Sequence, residues 1–506
     1  FLRRAAAVHP GHTAVVDGAL RLTYAELEDR CLRLAGSLAA LAGGRPVAVL
    51  AANSHVLLES HFAVPWAGSP LVALNTRLTP GELAWIVEHS EACLLVHTEE
   101  HAEAAAAVAA LRPGLPTVCA GGTDDGYEAL VRDGRPTAVV PEDERALLSV
   151  NYTSGTTGTP KGVMYHHRGA YLQSLAMLHH AALSAGDTLL WTLPMFHCNG
   201  WCFPWAATAA AATHVCVRQL DPAEVWRLIT AESVSIFCGA PTVLSMVARA
   251  PEARPVDRPV RVLTGGSPPT PAIIRRMGEL GISVLHLYGL TETFGPIMVN
   301  DWHPDWDGLG EERRAVLLAR QGVGNVIAVP PRVVDARGRD VPADGVTTGE
   351  IALRGNDLML GYLKDPEATA AAVPDGWFRT GDLGVLHPDG YVELRDRAKD
   401  VIISGGENIS SVEVEAVLAE HPDVLECAVV AAPDEHWGEV PVAFVTPVEG
   451  TAPQADELVA WVRGRIAHFK APRRVVFGPL PKTSTGKIQK FALRRQAGGG
   501  VEAASR

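Results

Sequence analysis

The stretch YTSGTTGTPKGV, residues 152–163, sets three glycines, five small hydroxyl side chains and one lysine into a dozen residues. Glycines allow unusual backbone angles and close approach to a ligand. Successive N–H groups and hydroxyls can then wrap a phosphate, and Lys161 adds a point charge. The spacing is not that of a Walker A loop, which needs GxxxxGK followed by Ser or Thr; here Gly158 is followed by Thr159, Pro160 and Lys161. Ser, Thr and Gly also make ordinary linkers, but a linker does not normally separate a buried strand from a Lys-Gly-Val exit, so phosphate binding is the expectation. A second stretch, HCNGWC, places His197 beside Cys198 and Cys202. Its spacing suits no zinc module, and packed free thiols are expected there.

These residues need a scaffold. LLSVNY reads as the strand that feeds the 153–161 loop. LLVHT, THVCV, VSIFCG, VRVLTGG and SVLHLYG read as further strands separated by helical stretches, which points to α/β layers. The segment TYAELEDRCLRLAGSLAAL carries apolar residues at Leu27, Leu32, Leu34, Leu38 and Leu41, close to helical spacing. From about residue 330 to 395 short strands broken by Gly and Asp predict a small antiparallel sheet or barrel. After the charged run RDRAKD, strands and helices resume over roughly a hundred residues, enough for a separate domain; Ser410 and Glu413 form a capping-box pattern there. The expected organisation is α/β: a large N-terminal domain of layered sheets with a barrel-like subdomain (1–395), a hinge (396–400) and a small, mobile α+β domain (401–506).

Composition narrows the function classes. The chain has 506 residues, 44 basic against 57 acidic side chains, and a net charge of −13. The basic residues form no block, which argues against nucleic-acid binding. No apolar run is long enough to span a membrane, no leader or anchor signal is visible, and eight dispersed cysteines without a CxxC pair fit a reduced, cytoplasmic interior.

Five motifs in order, YTSGTTGTPKGV, YGLTET (288–293), GWFRTGD (376–382), DRAKDVIISGGENIS (396–410) and PKTSTGK (481–487), resemble those of the ANL superfamily of adenylate-forming enzymes, and they span nearly the whole chain. The resemblance implies an ATP-dependent, AMP-forming ligase with Mg²⁺ and, as probable acceptor, CoA. It assigns Thr153, Ser154, Gly155, Thr156, Thr157, Gly158 and Lys161 to the phosphates, Glu292 to the metal and Thr291 to the α-phosphate. Tyr288 would lie against adenine, and Asp382 and Arg397 at the ribose. Gly265, Gly266, Ser267, His286 and Gly289 fall in the implied nucleotide site. Lys487 would bridge the acyl carboxylate and the α-phosphate. Lys399 falls at the hinge position, and Gly405, Gly406, Glu407 and Asn408 on the face used for thioester formation after the small domain rotates.

The acid pocket is implied by position at His197, Trp201, Cys202, Gly239, Ala240, Pro241, Gly265 and Phe294, with His197 as its gate. Amino-acid-activating relatives usually carry an Asp near FHCNG, so an α-amino acid is not expected. LNTRLTP, FHCNGW, ARQGV and DEHWGE are similar to the short- and medium-chain or aromatic acyl-CoA synthetase subgroup. Alternatives left open are loading of a carrier protein, activation of nitrite to diazotise an aromatic amine, and a homodimeric assembly.

Overall fold

The computed structural model describes residues 1–123, 125–153, 160–483 and 487–498. Two large sheets carry the N-terminal part. One has seven strands in the order Gly361–Tyr362, Lys161–His166, Leu147–Thr153, Leu71–Ala73, Val47–Leu50, Leu94–Thr98, Thr117–Ala120. The other has nine: Val323–Gly324, Gly295–Val299, Ile282–Leu290, Val260–Thr264, Ile236–Gly239, Thr188–Trp191, Thr213–Cys216, Thr13–Asp17, Leu20–Thr23. The inner pairings are parallel, and strands such as Leu94–Thr98 and Ile236–Gly239 are buried at every position. That is what a parallel sheet covered by helices on both faces requires.

The helix Tyr24–Ala42 shows how such a layer is specified. Thr23 and Glu26 close a reciprocal capping box, and the buried stripe runs Tyr24, Leu27, Cys31, Leu34, Ala35, Leu38, Ala42. Two of the leucines expected on that face do not belong to it: Leu32 is half-buried and Leu41 exposed, because small residues complete the stripe instead.

The stretch after residue 330 is a four-stranded antiparallel sheet, Arg332–Val334, Gly349–Leu353, Phe378–Leu386, Val392–Arg397. Its last strand bridges to Gly322 beside the nine-stranded sheet, and it runs two residues past the boundary placed at 395. The C-terminal sheet orders Glu407–Ile409, Ile402–Ser404, Gly438–Pro447 and Val424–Asp434, with Arg474–Phe477 also on Gly438–Pro447. Ser410 caps the helix Ser411–Ala419 through the Glu413 N–H, but the box is only half made: the Glu413 carboxylate turns to Lys470 Nζ at 2.6 Å. The stretch DELVAWVRGRIAHFK is helical only to Arg463, before Gly464, and ends in a 3₁₀ turn, His468–Lys470, since glycine weakens a helix interior. The segment 300–323 forms a 3₁₀ turn, Pro304–Trp306, and a helix, Glu311–Leu318. Trp306 is buried and packs with Leu317 and Tyr391.

Among the described residues no helix is long and apolar enough to cross a membrane. All eight cysteines are free.

Candidate active site

The strand Leu147–Thr153 and the strand Lys161–His166 are antiparallel neighbours with Thr153 opposite Lys161. The phosphate-loop candidates Thr153 and Lys161 therefore stand at the base of one hairpin. Ser154, Gly155, Thr156, Thr157 and Gly158 lie outside the described residues. Lys161 Nζ sits 4.5 Å from the centre of the Tyr362 ring, a cation–π contact. The Tyr362 hydroxyl donates to Glu292 Oε1 at 2.8 Å. Lysine, tyrosine and metal-ligand candidate thus form one row. Tyr362 carried no sequence signal for this; its partners lie 70 residues or more away in the chain.

Glu292 sits in the 3₁₀ turn Thr291–Thr293. The turn depends on Gly289, where a Cβ would stand 2.0 Å from the Gly295 carbonyl, so only glycine lets the two strands close so tightly. Thr293 Oγ1 accepts from the Leu290 N–H and donates to the Gly295 carbonyl, and the Tyr165 hydroxyl donates to the Thr291 carbonyl at 2.7 Å. Thr293 and Tyr165 are further supporting residues that sequence did not single out. Among the described residues no cluster of three or more His, Cys, Asp or Glu could hold a metal. A single carboxylate fits Mg²⁺ that arrives on a triphosphate.

Asp382 is buried, and Tyr288 donates its hydroxyl to Asp382 Oδ2 at 2.7 Å. Arg397 Nε stands 3.0 Å from Oδ1, near enough to attract but not aligned as a hydrogen bond, so Oδ1 has no hydrogen-bond partner among the described residues. A buried acceptor left open in this way is costly and fits a ribose hydroxyl. The Tyr288 ring belongs to a buried cluster with Ile297, Met298 and Val333; its hydroxyl is the part that reaches the site. His286 departs further from the expected nucleotide contact. It is buried, its Nδ1 is 2.8 Å from the Arg320 carbonyl, and burial lowers its pKa to about 4, so it behaves as a neutral core histidine. Gly266 and Ser267 are exposed on the loop after Val260–Thr264.

Lys487 comes from the opposite end of the chain. Thr483 N–H donates to its carbonyl and its own N–H donates to Thr483 Oγ1, which fixes the lysine just before the helix Lys490–Gly498. Lys487 is exposed, while desolvation by the surrounding protein first, and the Arg397 guanidinium second, lower its pKa to about 8. Asp382, Lys399 and Asp400 also act on this amine. His197 feels it in turn: burial, then the Lys487 charge, lower the imidazole to about 4. The C-terminal lysine and the N-terminal gate candidate therefore share one electrostatic neighbourhood.

The gate region has an unusual backbone. Cys198, Asn199, Gly200, Trp201 and Cys202 all have positive φ, between 40° and 64°. A left-handed turn costs about 1–2 kcal/mol for each non-glycine residue. It is held by a buried network: Asn199 Oδ1 accepts from Ser149 Oγ and Asn151 Nδ2, and the Asn199 N–H donates to Asn151 Oδ1. The expected thiols are there as packed, neutral groups; burial pushes Cys198 up to about 12, and its Sγ lies 3.4 Å from Thr291 Oγ1. The turn thus joins His197 and Cys198 to the Thr291 turn.

The pocket candidates separate. Trp201 and Gly265 touch: a Cβ on Gly265 would stand 3.2 Å from Trp201 Cη2. Phe294 and Cys202 are wholly buried behind that wall, Phe294 stacked on Tyr165 at 3.9 Å and Cys202 turned to the Phe294 carbonyl, so neither lines open space. Pro241 begins the helix Pro241–Arg249. Gly239 and Ala240 line a larger cleft of about 620 Å³ between the large part and Leu425, Leu480 and Lys482; Phe196 borders both it and a small cavity beside His197 and Thr291.

At the hinge, Asp396 accepts from the Ser411 N–H and hydroxyl, and Asp400 pairs with Arg494. Lys399 is exposed, with its pKa lowered by desolvation and then Arg397. Gly405, Gly406, Glu407 and Asn408 form the exposed tip of the hairpin Ile402–Ile409. None of the contacts among the described residues joins them to Asp382, Thr291 or Lys487.

Residues 2–363 match the family of AMP-binding enzymes, and residues 413–487 match the AMP-binding enzyme C-terminal domain. The chain is 43% identical to an acetate–CoA ligase of Humulus lupulus, over 98% of this chain and 94% of that one. It is equally 43% identical, with the same coverage, to a peroxisomal acetate/butyrate–CoA ligase of Arabidopsis thaliana. Among solved structures, ATP-bound MatB from Rhodopseudomonas palustris superimposes with a TM-score of 0.86 at 27% identity, covering 98% of both chains. The same protein without ATP superimposes with 0.76, at 27% identity and 98% coverage of both.

Proposed function

The chain belongs to the AMP-binding enzyme family as an AMP-forming acyl-CoA synthetase, and we propose that its acid is a short aliphatic carboxylate activated with Lys487 swung in from the C-terminal part. ATP and CoA are its cosubstrates and Mg²⁺ its metal. A carboxylate oxygen attacks the α-phosphorus, the bond to the β-phosphate breaks, and pyrophosphate leaves. The CoA thiolate then attacks the acyl carbon and AMP leaves.

The observation that carries this reading is the joint neighbourhood of Lys487, Asp382, Arg397 and His197. The first step brings one anion to another, so preorganised positive charge is the main requirement. Lys487 has three donors to spread over oxygens of both reactants. Asp382 holds the ribose through its open Oδ1, Arg397 keeps that carboxylate oriented, and Thr291 offers its hydroxyl beside the α-phosphate. His197, uncharged at neutral pH, closes the pocket without trapping the carboxylate as an ion pair. Glu292, oriented by Tyr362, would hold Mg²⁺, which supplies charge neutralisation on the departing pyrophosphate. Thr153 and Lys161 would receive its phosphates. The better superposition on the ATP-bound relative than on its ATP-free form supports the adenylation orientation.

The domain reading follows: 1–395 as adenylation body, 396–400 as hinge, 401–506 as the mobile part that later presents Gly405–Asn408 to the thiol. The short aliphatic acid is favoured over an aromatic one by the relatives named for acetate and butyrate. Eight free thiols support a reducing, cytoplasmic setting. The test is acid-dependent pyrophosphate release over acetate, propanoate, butyrate, benzoate and nitrite with an aromatic amine, with and without CoA. Turnover on the short acids, completed to acyl-CoA when CoA is added, is expected; response to nitrite alone would overturn the reading.

A further inference from the structure

We propose that Asp357 is a positioning residue for the pyrophosphate side of the site, acting through the chain segment that ends at Tyr362. This rests on the reading of Glu292 as the metal ligand given above and deepens it. Asp357 is wholly buried. Its Oδ2 accepts from Asn325 Nδ2 at 3.1 Å, and its Oδ1 has no hydrogen-bond partner among the described residues. The same Asn325 nitrogen lies 3.1 Å from Gln173 Oε1 and 3.1 Å from the Pro296 carbonyl, so two N–H groups serve three acceptors. A buried carboxyl so sparsely satisfied is costly, and more so once charged; burial raises its pKa to about 7. Stability does not account for such a group, whereas its place in the fold does.

Asp357 stands where separate layers meet. Gln173 belongs to the helix His167–His180, Pro296 to the strand Gly295–Val299, and Asn325 follows the strand Val323–Gly324. The carboxyl turns back over Gly355, where a Cβ would stand 2.2 Å from Oδ1, so the close approach needs glycine. From this anchor the chain runs along the site. The Met359 N–H donates to the Glu292 carbonyl at 2.9 Å, the Leu360 N–H to the Met164 carbonyl at 2.9 Å, and the Leu363 N–H to the Gly162 carbonyl at 2.7 Å. Within that run Tyr362 gives its hydroxyl to Glu292 Oε1 and its ring face to Lys161. The metal-ligand candidate and the phosphate lysine are thus held by one short segment whose start is pinned by Asp357. None of the contacts among the described residues joins Asp357 directly to Glu292 or Lys161.

The test is a double-mutant cycle of Asp357→Ala and Tyr362→Phe. It reads the Mg²⁺ concentration for half-maximal pyrophosphate release with CoA omitted, together with KM for the acid and the urea midpoint. Asp357→Ala is expected to raise the Mg²⁺ requirement roughly threefold or more, the worth of about one hydrogen bond, with acid KM and urea midpoint close to those of the parent enzyme. Asp357→Asn keeps an acceptor for Asn325 and should restore most of the parent titration. In the Tyr362→Phe background the alanine change should add little, since residues acting as one unit are not additive. Asp357→Ser, too short to reach Asn325, decides the matter if the alanine variant does not fold. A Mg²⁺ titration that is unchanged, that worsens only in step with acid KM and the urea midpoint, or that shifts equally in both backgrounds would overturn the inference; a shift in Tyr362→Phe alone would do so while leaving the metal reading intact. A titration that moves in neither variant would overturn both.

Discussion

Raising the pH from 7 to 9 should lower kcat/KM for ATP in acyl-AMP formation about tenfold, and the cause is one amine. With the Lys487 pKa near 8, roughly 90% of the amine is charged at pH 7 and roughly 10% at pH 9. Only the charged form neutralises the meeting of carboxylate and α-phosphate. Among its neighbours, Asp400, held low by Arg494, and Arg397, raised by the Asp382 carboxylate, keep their charges throughout this range; Lys399 is the exception, its own pKa being lowered. The assay is pyrophosphate release with CoA omitted, so that the CoA thiol cannot contribute. The profile of kcat/KM for ATP reports the free enzyme and should break near pH 8. The kcat profile should break higher, because bound triphosphate favours the ammonium. Lys487→Arg, if it retains activity, should lose the alkaline fall, since a guanidinium stays charged. Lys399→Gln should keep the fall and move it slightly upward, one like charge having gone. A kcat/KM profile flat to pH 10 in the parent enzyme would refute the reasoning.

Three further outcomes follow from named contacts. Tyr362→Phe removes the hydrogen bond to Glu292; at about 1.5 kcal/mol for a bond to a charged group, the Mg²⁺ concentration for half-maximal activity should rise roughly tenfold, and an unchanged titration would remove Tyr362 from the metal's support. Arg30→Ala leaves Glu59, which is wholly buried and 2.6 Å from Arg30 Nε, without its cation; a loss of about 3–5 kcal/mol in urea unfolding is expected, and a loss below about 1 kcal/mol would contradict it. Lys399→Pro stiffens the hinge, and no internal hydrogen bond from the Lys399 N–H appears among the described backbone contacts. It should spare adenylation and slow thioester formation; unchanged overall turnover would rule out the hinge.

The inner strands Leu94–Thr98, Leu147–Thr153, Thr213–Cys216, Ile236–Gly239, Val260–Thr264 and Ile282–Leu290 were legible because each holds a short apolar run, whereas edge strands such as Leu20–Thr23, Val323–Gly324 and Gly361–Tyr362 are too short or too polar to show one. Lys161, Glu292, Asp382 and Lys487 were legible only as members of ordered motifs; nothing local distinguishes Lys487 from Lys490, yet Lys490 is a half-buried structural lysine paired with Glu415 at 2.8 Å while Lys487 is exposed and feels Arg397 and Asp382. What the sequence hides is contact across long separations. Tyr165 reaches Thr291 across 126 positions and Tyr288 reaches Asp382 across 94. HCNGWC hides more: a sequence with one glycine gives no sign of five consecutive left-handed residues. The strain there is sustained by Ser149 and Asn151 on another strand, where only the folded chain brings them.

The most direct test of the two-part account is Lys487→Ala assayed separately in both half-reactions. Loss of one preorganised charge at the reacting oxygens should lower acyl-AMP formation by about 10²–10³, while conversion of supplied acyl-AMP and CoA to the thioester continues at a rate close to that of the parent enzyme. If the two half-reactions fall together, or adenylation is untouched, Lys487 does not act where its neighbours Asp382, Arg397 and His197 place it.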